Sequence, residues 1–308
     1  MKKFNIIILF SASLVIFISA GFINLPDKIK ASMNKFKPYI SIYNINEKTV
    51  LVKMGPDAVT AINTKKGIVV IDAGISYSLT QNYRAYIEKA FNKSFFSLLI
   101  NTHGHSDHTG GNKVFNDAEI VAHNNCINEI KEQLKNPEKI KKNLLKIIDD
   151  YNNDLKKYNT TSPQWKETYS QQLRYTSAYN DFLENSKPNF PTVTFNDSMH
   201  ISMGDVSFDF IYFGKAHSES DILIHVPELK LLFSGDIFSK YGRANLCPSD
   251  NQISSKRIYV KKWLQQRKNK IEKIIGGHGE IMTIDDMDSF CKNLVMHEKN
   301  PFLYNNLM

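Results

Sequence analysis

Apolar residues in this chain fall into short blocks, and the spacing within each block assigns it a structure. Ile40 to Tyr43 and Val50 to Met54 flank the turn-like stretch Asn44 to Thr49, and Ala58 to Asn63 and Gly67 to Ile71 flank Thr64-Lys65-Lys66. Both pairs read as β-hairpins. Leu79 to Lys93 places Tyr83, Tyr86, Ile87, Ala90 and Phe91 on one side, the spacing of a helix. Phe95 to Ile100 is a short apolar run that reads as a buried strand, and Ala118 to Ala122 as another. Strand patterns return from Asn196 to Phe238. Ile258 to Asn269 then reads as a helix, Ile271 to Ile275 as a strand and Ile284 to Glu298 as a closing helix. Strand-rich halves separated by helices predict a mixed α/β (α+β) fold.

The segment from about 126 to 184 differs in character. It is charged, has few strand signals, and spaces Ile127-Ile130-Leu134 and Leu144-Leu145-Ile148-Tyr151-Leu155 by threes and fours. Thr160-Thr161-Ser162-Pro163 breaks the pattern. Ser162 suits an N-cap and Pro163 the first helical position of a second stretch, Trp165 to Leu183. This predicts a helical hairpin inserted into the strand-rich chain. Tyr169, Tyr175 and Tyr179 on it read as a packing stripe.

The N-terminus carries its own signal. Lys2 and Lys3 precede an apolar stretch from Phe4 to Ile18, followed by Ser19-Ala20-Gly21. A basic start, a short apolar core and small residues are the layout of a secretory signal. The expected organisation is therefore 1–21 as signal peptide or membrane anchor, 22–38 as linker, and 39–308 as one domain. Its location is expected to be periplasmic or secreted. Any membrane contact would run through an uncleaved N-terminal segment.

Composition changes little. The chain has 308 residues, 42% of them hydrophobic, and a formal net charge of +8. Its lysines are scattered and read as a solvated surface. No nucleic-acid-binding module with interleaved aromatics is present, so a small-molecule partner is expected rather than DNA or RNA. Cys126, Cys247 and Cys291 are far apart and form no metal-like pair, so they read as mostly buried thiols.

The candidate chemistry sits where apolar strands end. Phe95 to Ile100 runs into Asn101-Thr102-His103-Gly104-His105-Ser106-Asp107-His108-Thr109-Gly110-Gly111. Three imidazoles and a carboxylate within six residues, on a loop freed by glycines, can aim inward at one place. Such donors suit zinc, iron or manganese. The device recurs three times: Phe208 to Phe213 leads to His217, Leu231-Leu232-Phe233-Ser234-Gly235 to Asp236, and Ile274-Ile275-Gly276-Gly277 to His278. His123 and His225 read as structural, the latter because it alternates with Ile222 and Ile224 inside a strand.

These residues in this order resemble the metallo-β-lactamase-fold hydrolase superfamily, over roughly residues 40 to 285. The forms around His103 to Asn112, His217 and Asp236 resemble its glyoxalase II-like and quinoprotein-linked branch. Asp72, at the end of Val69-Val70-Ile71, matches the family's early aspartate. The resemblance implies a four-layer αββα metallo-β-lactamase sandwich. It implies two divalent ions, zinc first: one on His103, His105 and His217, the second on Asp107, His108 and His278, with Asp236 bridging and Asp72 supporting the metal loop. The implied activity is hydrolysis by a metal-bridged hydroxide attacking an ester, thioester, lactone or amide carbonyl. Asp107 and Asp236 would be the catalytic carboxylates. The alternatives within the fold are β-lactam hydrolysis and an iron-dependent oxidoreductase such as a persulfide dioxygenase. The insertion and the polar stretch with Tyr241, Arg243 and Asn245 are expected to border the site.

Overall fold

The computed structural model describes residues 35–184, 188–238 and 253–286, with backbone alone for 253–258 and 261. The predicted signal segment lies outside these residues. So do most of the linker, Tyr241, Arg243, Asn245, Cys247, Cys291 and the closing helix beyond Asp286. Among the described residues, no helix is long and apolar enough to cross a membrane.

Two sheets carry the fold. The first runs in sequence order through β1 (Ser41–Asn46), β2 (Thr49–Met54), β3 (Asp57–Thr64), β4 (Gly67–Ile71), β5 (Phe96–Ile100), β6 (Glu119–His123) and β7 (Val193–Phe195). It is antiparallel up to β4 and parallel from there. The second holds β8 (Ser198–Ser202), β9 (Ser207–Tyr212), β10 (Ile222–Val226), β11 (Leu231–Gly235), β12 (Lys273–Gly276) and β13 (Ile281–Met282), with β11 and β12 parallel and the other neighbours antiparallel. The helices are α1 (Tyr77–Phe91), α2 (Ser106–Thr109), α3 (Asn125–Leu134), α4 (Pro137–Leu155), α5 (Pro163–Leu183) and α6 (Ile253–Gln266).

The layers follow from strand alternation. Leu51, Ile62, Val69, Ile71, Leu98 and Ile100 face inward and meet Phe208, Phe210, Ile222, Ile224, Phe233 and Ile275 of the second sheet. The residues between them point outward: Val50, Val52, Val59, Val70 and Leu99 pack under Leu79, Tyr83 and Ile87 of α1. On the far side, Leu223, Leu232 and Ile274 pack under Trp263 and Leu264 of α6. Both faces of each central strand are thus buried, which is why β4 and β11 read as unbroken apolar runs. Each such side chain contributes about 1.5–3 kcal/mol on burial. The result is the expected helix–sheet–sheet–helix sandwich.

Local signals set most boundaries. Ser76 Oγ accepts from Leu79 N at 3.2 Å and starts α1, which Asn92 ends at φ 47°. Ser162 caps α5 through Trp165 N at 3.1 Å, with Pro163 at its first position. The first hairpin is tighter than its polar stretch suggests, because β1 keeps pairing to Asn46, whose side chain accepts from Lys48 N. The three-residue β7 gives no periodic signal; it is held by parallel pairing to β6.

Topology also places the site. β4 and β5 are parallel, so Asp72 and the loop after Ile100 emerge at one edge. β11 and β12 are parallel, so Asp236 and His278 emerge together. Stacking the two sheets brings these edges face to face.

Candidate metal centre

Seven side chains converge at that edge. His103 Nε2 lies 3.1 Å from His105 Nδ1, and His217 Nε2 lies 2.9 Å from the same atom. Two nitrogens on one tetrahedral zinc at about 2.0–2.1 Å would stand about 3.3 Å apart, close to these separations. Asp107, His108 and His278 form a second group, and His103, His108 and Asp236 a third that joins the two; the donor atoms in each lie within 4.8 Å of one another. Asp236 stands between them. Its Oδ1 is 3.5 Å from His108 Nε2, while its Oδ2 is 3.1 Å from His278 Nε2 and 3.5 Å from His217 Nε2. All seven residues named from the sequence are therefore neighbours in space, whereas His123 stacks on Tyr212 and His225 sits against Trp263, both away from the site.

Backbone geometry aims these groups. Asp72 has φ 58°, a left-handed conformation costly for a residue with a Cβ. Its carboxylate repays the strain: Oδ1 accepts from Thr102 N and Oδ2 from Thr102 Oγ1, each at 2.8 Å, and Oδ2 also accepts from His108 Nδ1 at 2.9 Å. That contact fixes the ring so that Nε2 faces the centre. His278 is oriented likewise, its Nδ1 donating to Pro56 O at 2.8 Å. Gly235, at φ 50°, lets the chain turn Asp236 inward.

The site is built for a charge it does not itself supply. His108 Nε2 and Asp236 Oδ1 are buried and lack any hydrogen-bond partner. Such orphaned atoms cost free energy unless something else satisfies them. A Cβ on Gly277 would lie 2.3 Å from Asp236 Oδ1 and 2.8 Å from His108 Cε1, so glycine keeps this space clear. Burial, helped by the neighbouring His108, holds His103 well below the ordinary imidazole range, which keeps its nitrogen lone pair free. Burial also lowers His217. For His108, burial opposes the charge, but the carboxylates of Asp72, Asp107 and Asp236 outweigh it and hold the ring well above its usual value. The donor set and the unpartnered atoms fit divalent metal ions.

Three supporting residues were not singled out from the sequence. Glu129 on α3 accepts from Gly104 N and Glu219 N, at 3.1 and 2.5 Å, and from Ser220 Oγ, so it binds the His103–His105 segment to the loop carrying His217. Asp57 and Arg174 are paired at 3.1 Å, and Arg174 Nη2 reaches Asp107 Oδ2 at 3.2 Å. Ser170 and Ser177, small residues about one turn to either side of Arg174 on α5, are the faint hint of it in the sequence. Of the tyrosines on that helix, Tyr169 stacks on Trp165 and Tyr175 on Tyr151, which is packing. The inserted segment does border the site: Asn125, Asn128, Glu132 and Gln133 of α3 line a cleft of about 490 Å³ with His105 and Glu219.

Comparisons with known proteins bear on the family and the fold. The family model described as "Metallo-beta-lactamase superfamily" matches residues 54–278. Two curated relatives, both named metallo-beta-lactamase type 2, are each 22% identical: that of Bacillus cereus over 226 residues and that of Bacillus sp. (strain 170) over 221. Each match covers 71% of this chain, which spans 66% and 65% of the relatives' own length, just under two-thirds. Among solved structures, a metallo-beta-lactamase from Pontibacter korlensis aligns with TM-score 0.51 at 18% identity, over 82% of this chain and 99% of that one. The sec-alkylsulfatase Pisa1 from Pseudomonas sp. aligns with TM-score 0.57 at 14% identity, over 82% of this chain and 40% of that one. A family match across most of the chain, on a fold of the same layered design, makes this protein a member of the metallo-beta-lactamase superfamily.

Proposed function

We propose that this chain is an exported two-metal hydrolase that cleaves an ester, thioester, lactone or amide carbonyl in a small molecule. The observation that carries this is the place of Asp236, with one oxygen toward His108 and the other toward His217 and His278. A carboxylate so placed can join two ions. His103, His105 and His217 would hold one, Asp107, His108 and His278 the other. Imidazole and carboxylate donors suit zinc and also accept iron or manganese. Two such ions, when bound, supply an acidified water at neutral pH and polarise the oxygen of the substrate.

The protein's own groups do the rest. A substrate reaches His105 through the cleft beside α3, whose polar wall is formed by Asn125, Asn128, Gln133 and the carboxylates of Glu129, Glu132 and Glu219. The Asp107 side chain is 29% exposed and that of Asp236 6%, so Asp107 is the more open to solvent. Burial works against its charge, but His108 and Arg174 hold its carboxyl below the usual range. It is therefore a weak base, suited to orienting a water and passing on its proton rather than to storing one. Asp236, held far lower by His108 and His278 despite its burial, stays ionised throughout.

The curated relatives are named as β-lactamases, so β-lactams belong among the substrates to test. Many β-lactamases of this fold carry Cys or Ser at the position of Asp236, which favours the other carbonyl substrates. Export rests on the basic, apolar and small-residue order of residues 1–21. The test is a turnover screen of the purified, metal-loaded protein against esters, thioesters, lactones, amides, β-lactams and phosphodiesters. Chelator-sensitive hydrolysis of a carbonyl substrate is expected. Loaded protein that turns over no member of the panel would overturn the proposal.

A further inference from the structure

Arg174 is 4% exposed, on a helix inserted far from the metal-binding motif in sequence. Other contacts also hold that helix in place. Ser76 Oγ pairs with Ser177 Oγ at 2.7 Å, and Ser78 donates to Asp181 through N at 2.8 Å and Oγ at 2.6 Å. The guanidinium is instead spent on two carboxylates, Asp57 through Nε at 3.1 Å and Asp107 through Nη2 at 3.2 Å. The oxygen it takes on Asp107, Oδ2, is the one 3.9 Å from His108 Nε2 and thus faces the second donor group. The turn that carries Asp57 also holds His278, through Pro56 O, so one short segment anchors two members of that group. Among the described residues, no lysine or arginine hydrogen-bonds to His103, His105 or His217.

We propose that Arg174 is a positioning residue that makes the second metal site the weaker of the two, so that the ions bind in order. A permanent cation donating to a ligand oxygen withdraws electron density from it. The same charge repels a divalent ion a few ångströms away, in surroundings where water screens poorly. Among the described residues, no ligand of the first site takes such a bond, so the effect there is smaller. The inserted helix thereby sets how much metal the protein needs before the second ion enters. This inference rests on the two-metal reading above.

The test titrates chelator-stripped full-length protein with Zn2+ and with Co2+, following heat and the Co2+ absorption bands. Wild type is expected to show two steps. In Arg174→Gln the second step should tighten by at least about tenfold, with the first unchanged within about threefold. Arg174→Lys keeps the charge and should stay with wild type. If Arg174→Gln leaves Asp57 unpaired and does not fold, Asp57→Asn with Arg174→Gln removes the buried pair together and should tighten the second step in the same direction but by less, because an anion leaves with the cation. A second step that is unchanged or weaker in the Gln variants, or tightened equally by Lys, overturns the role of Arg174 and leaves two metals intact. A single ion bound by every variant overturns the two-metal reading and this inference with it.

Discussion

His108 Nδ1 donates to Asp72 Oδ2 across 2.9 Å, and both side chains are almost wholly buried. This bond ties the end of β4 to α2 and decides which nitrogen of His108 faces the centre. Asparagine tolerates the left-handed backbone at position 72 but presents a donor where His108 and Thr102 also donate. Asp72→Asn should therefore weaken metal binding by about 10–100-fold while the fold persists. Chelator competition with circular dichroism checks it; wild-type affinity in a folded variant would contradict it.

Gly277 is the space-keeping residue of the site. In Gly277→Ala the new methyl group must displace Asp236 or His108. Loss of second-site metal is expected, by at least about tenfold, since outer contacts of ligands alone are worth that much. The apolar packing of β11 and β12 should keep the melting temperature of the metal-free protein close to wild type. Elemental analysis of the folded variant reads the first effect, and thermal denaturation in chelator the second.

Asp221 carries the clearest pH signature. It is buried, its Oδ2 accepts from Ser218 N, its Oδ1 has no partner, and burial pushes its carboxyl up to about 7. The folded state thus holds a proton that the unfolded state releases near the ordinary carboxylate value. The stabilisation is present below about pH 4 and is lost as pH rises to about 7. Asp221→Asn should remove this slope and be more stable than wild type at pH 8 by roughly 2–4 kcal/mol. Denaturant melts of both proteins in chelator, from pH 4 to 8, measure it. Parallel curves would contradict the assignment.

Asp236→Ser should lose at least one ion and most hydrolytic turnover, because a hydroxyl cannot face both donor groups as the two oxygens do now. Asp236→Cys should favour one ion over the other, since a thiolate presents a single soft donor. Metal content and turnover of the folded variants are the readouts. Full activity with two ions in the serine variant would leave Asp236 a turn residue.

The sequence showed the ligands because each stands where an apolar strand stops: His103 beyond Ile100, Asp236 beyond Gly235, His278 beyond Gly276. A polar residue just past a strand buried on both faces is conspicuous, and the layered fold follows from the same strands. Arg174 was hidden for the opposite reason. It lies on an amphipathic helix whose tyrosines dominate the pattern, and its partner Asp57 is 117 residues away. Only the docking of α5 against the first sheet brings them together. Glu129 was equally silent, because a glutamate on a charged helix reads as solvated until the His217 loop folds over it. Strand β7 was missed because three residues are too few to show alternation.

The most direct test of the two-metal centre is an anomalous difference map from a crystal of the zinc-loaded protein. Two peaks about 3.5–4 Å apart are expected, one among His103, His105 and His217 and one among Asp107, His108 and His278, with Asp236 between them. A single peak on the three histidines at saturating zinc, with Asp107 and His278 unliganded, would contradict it.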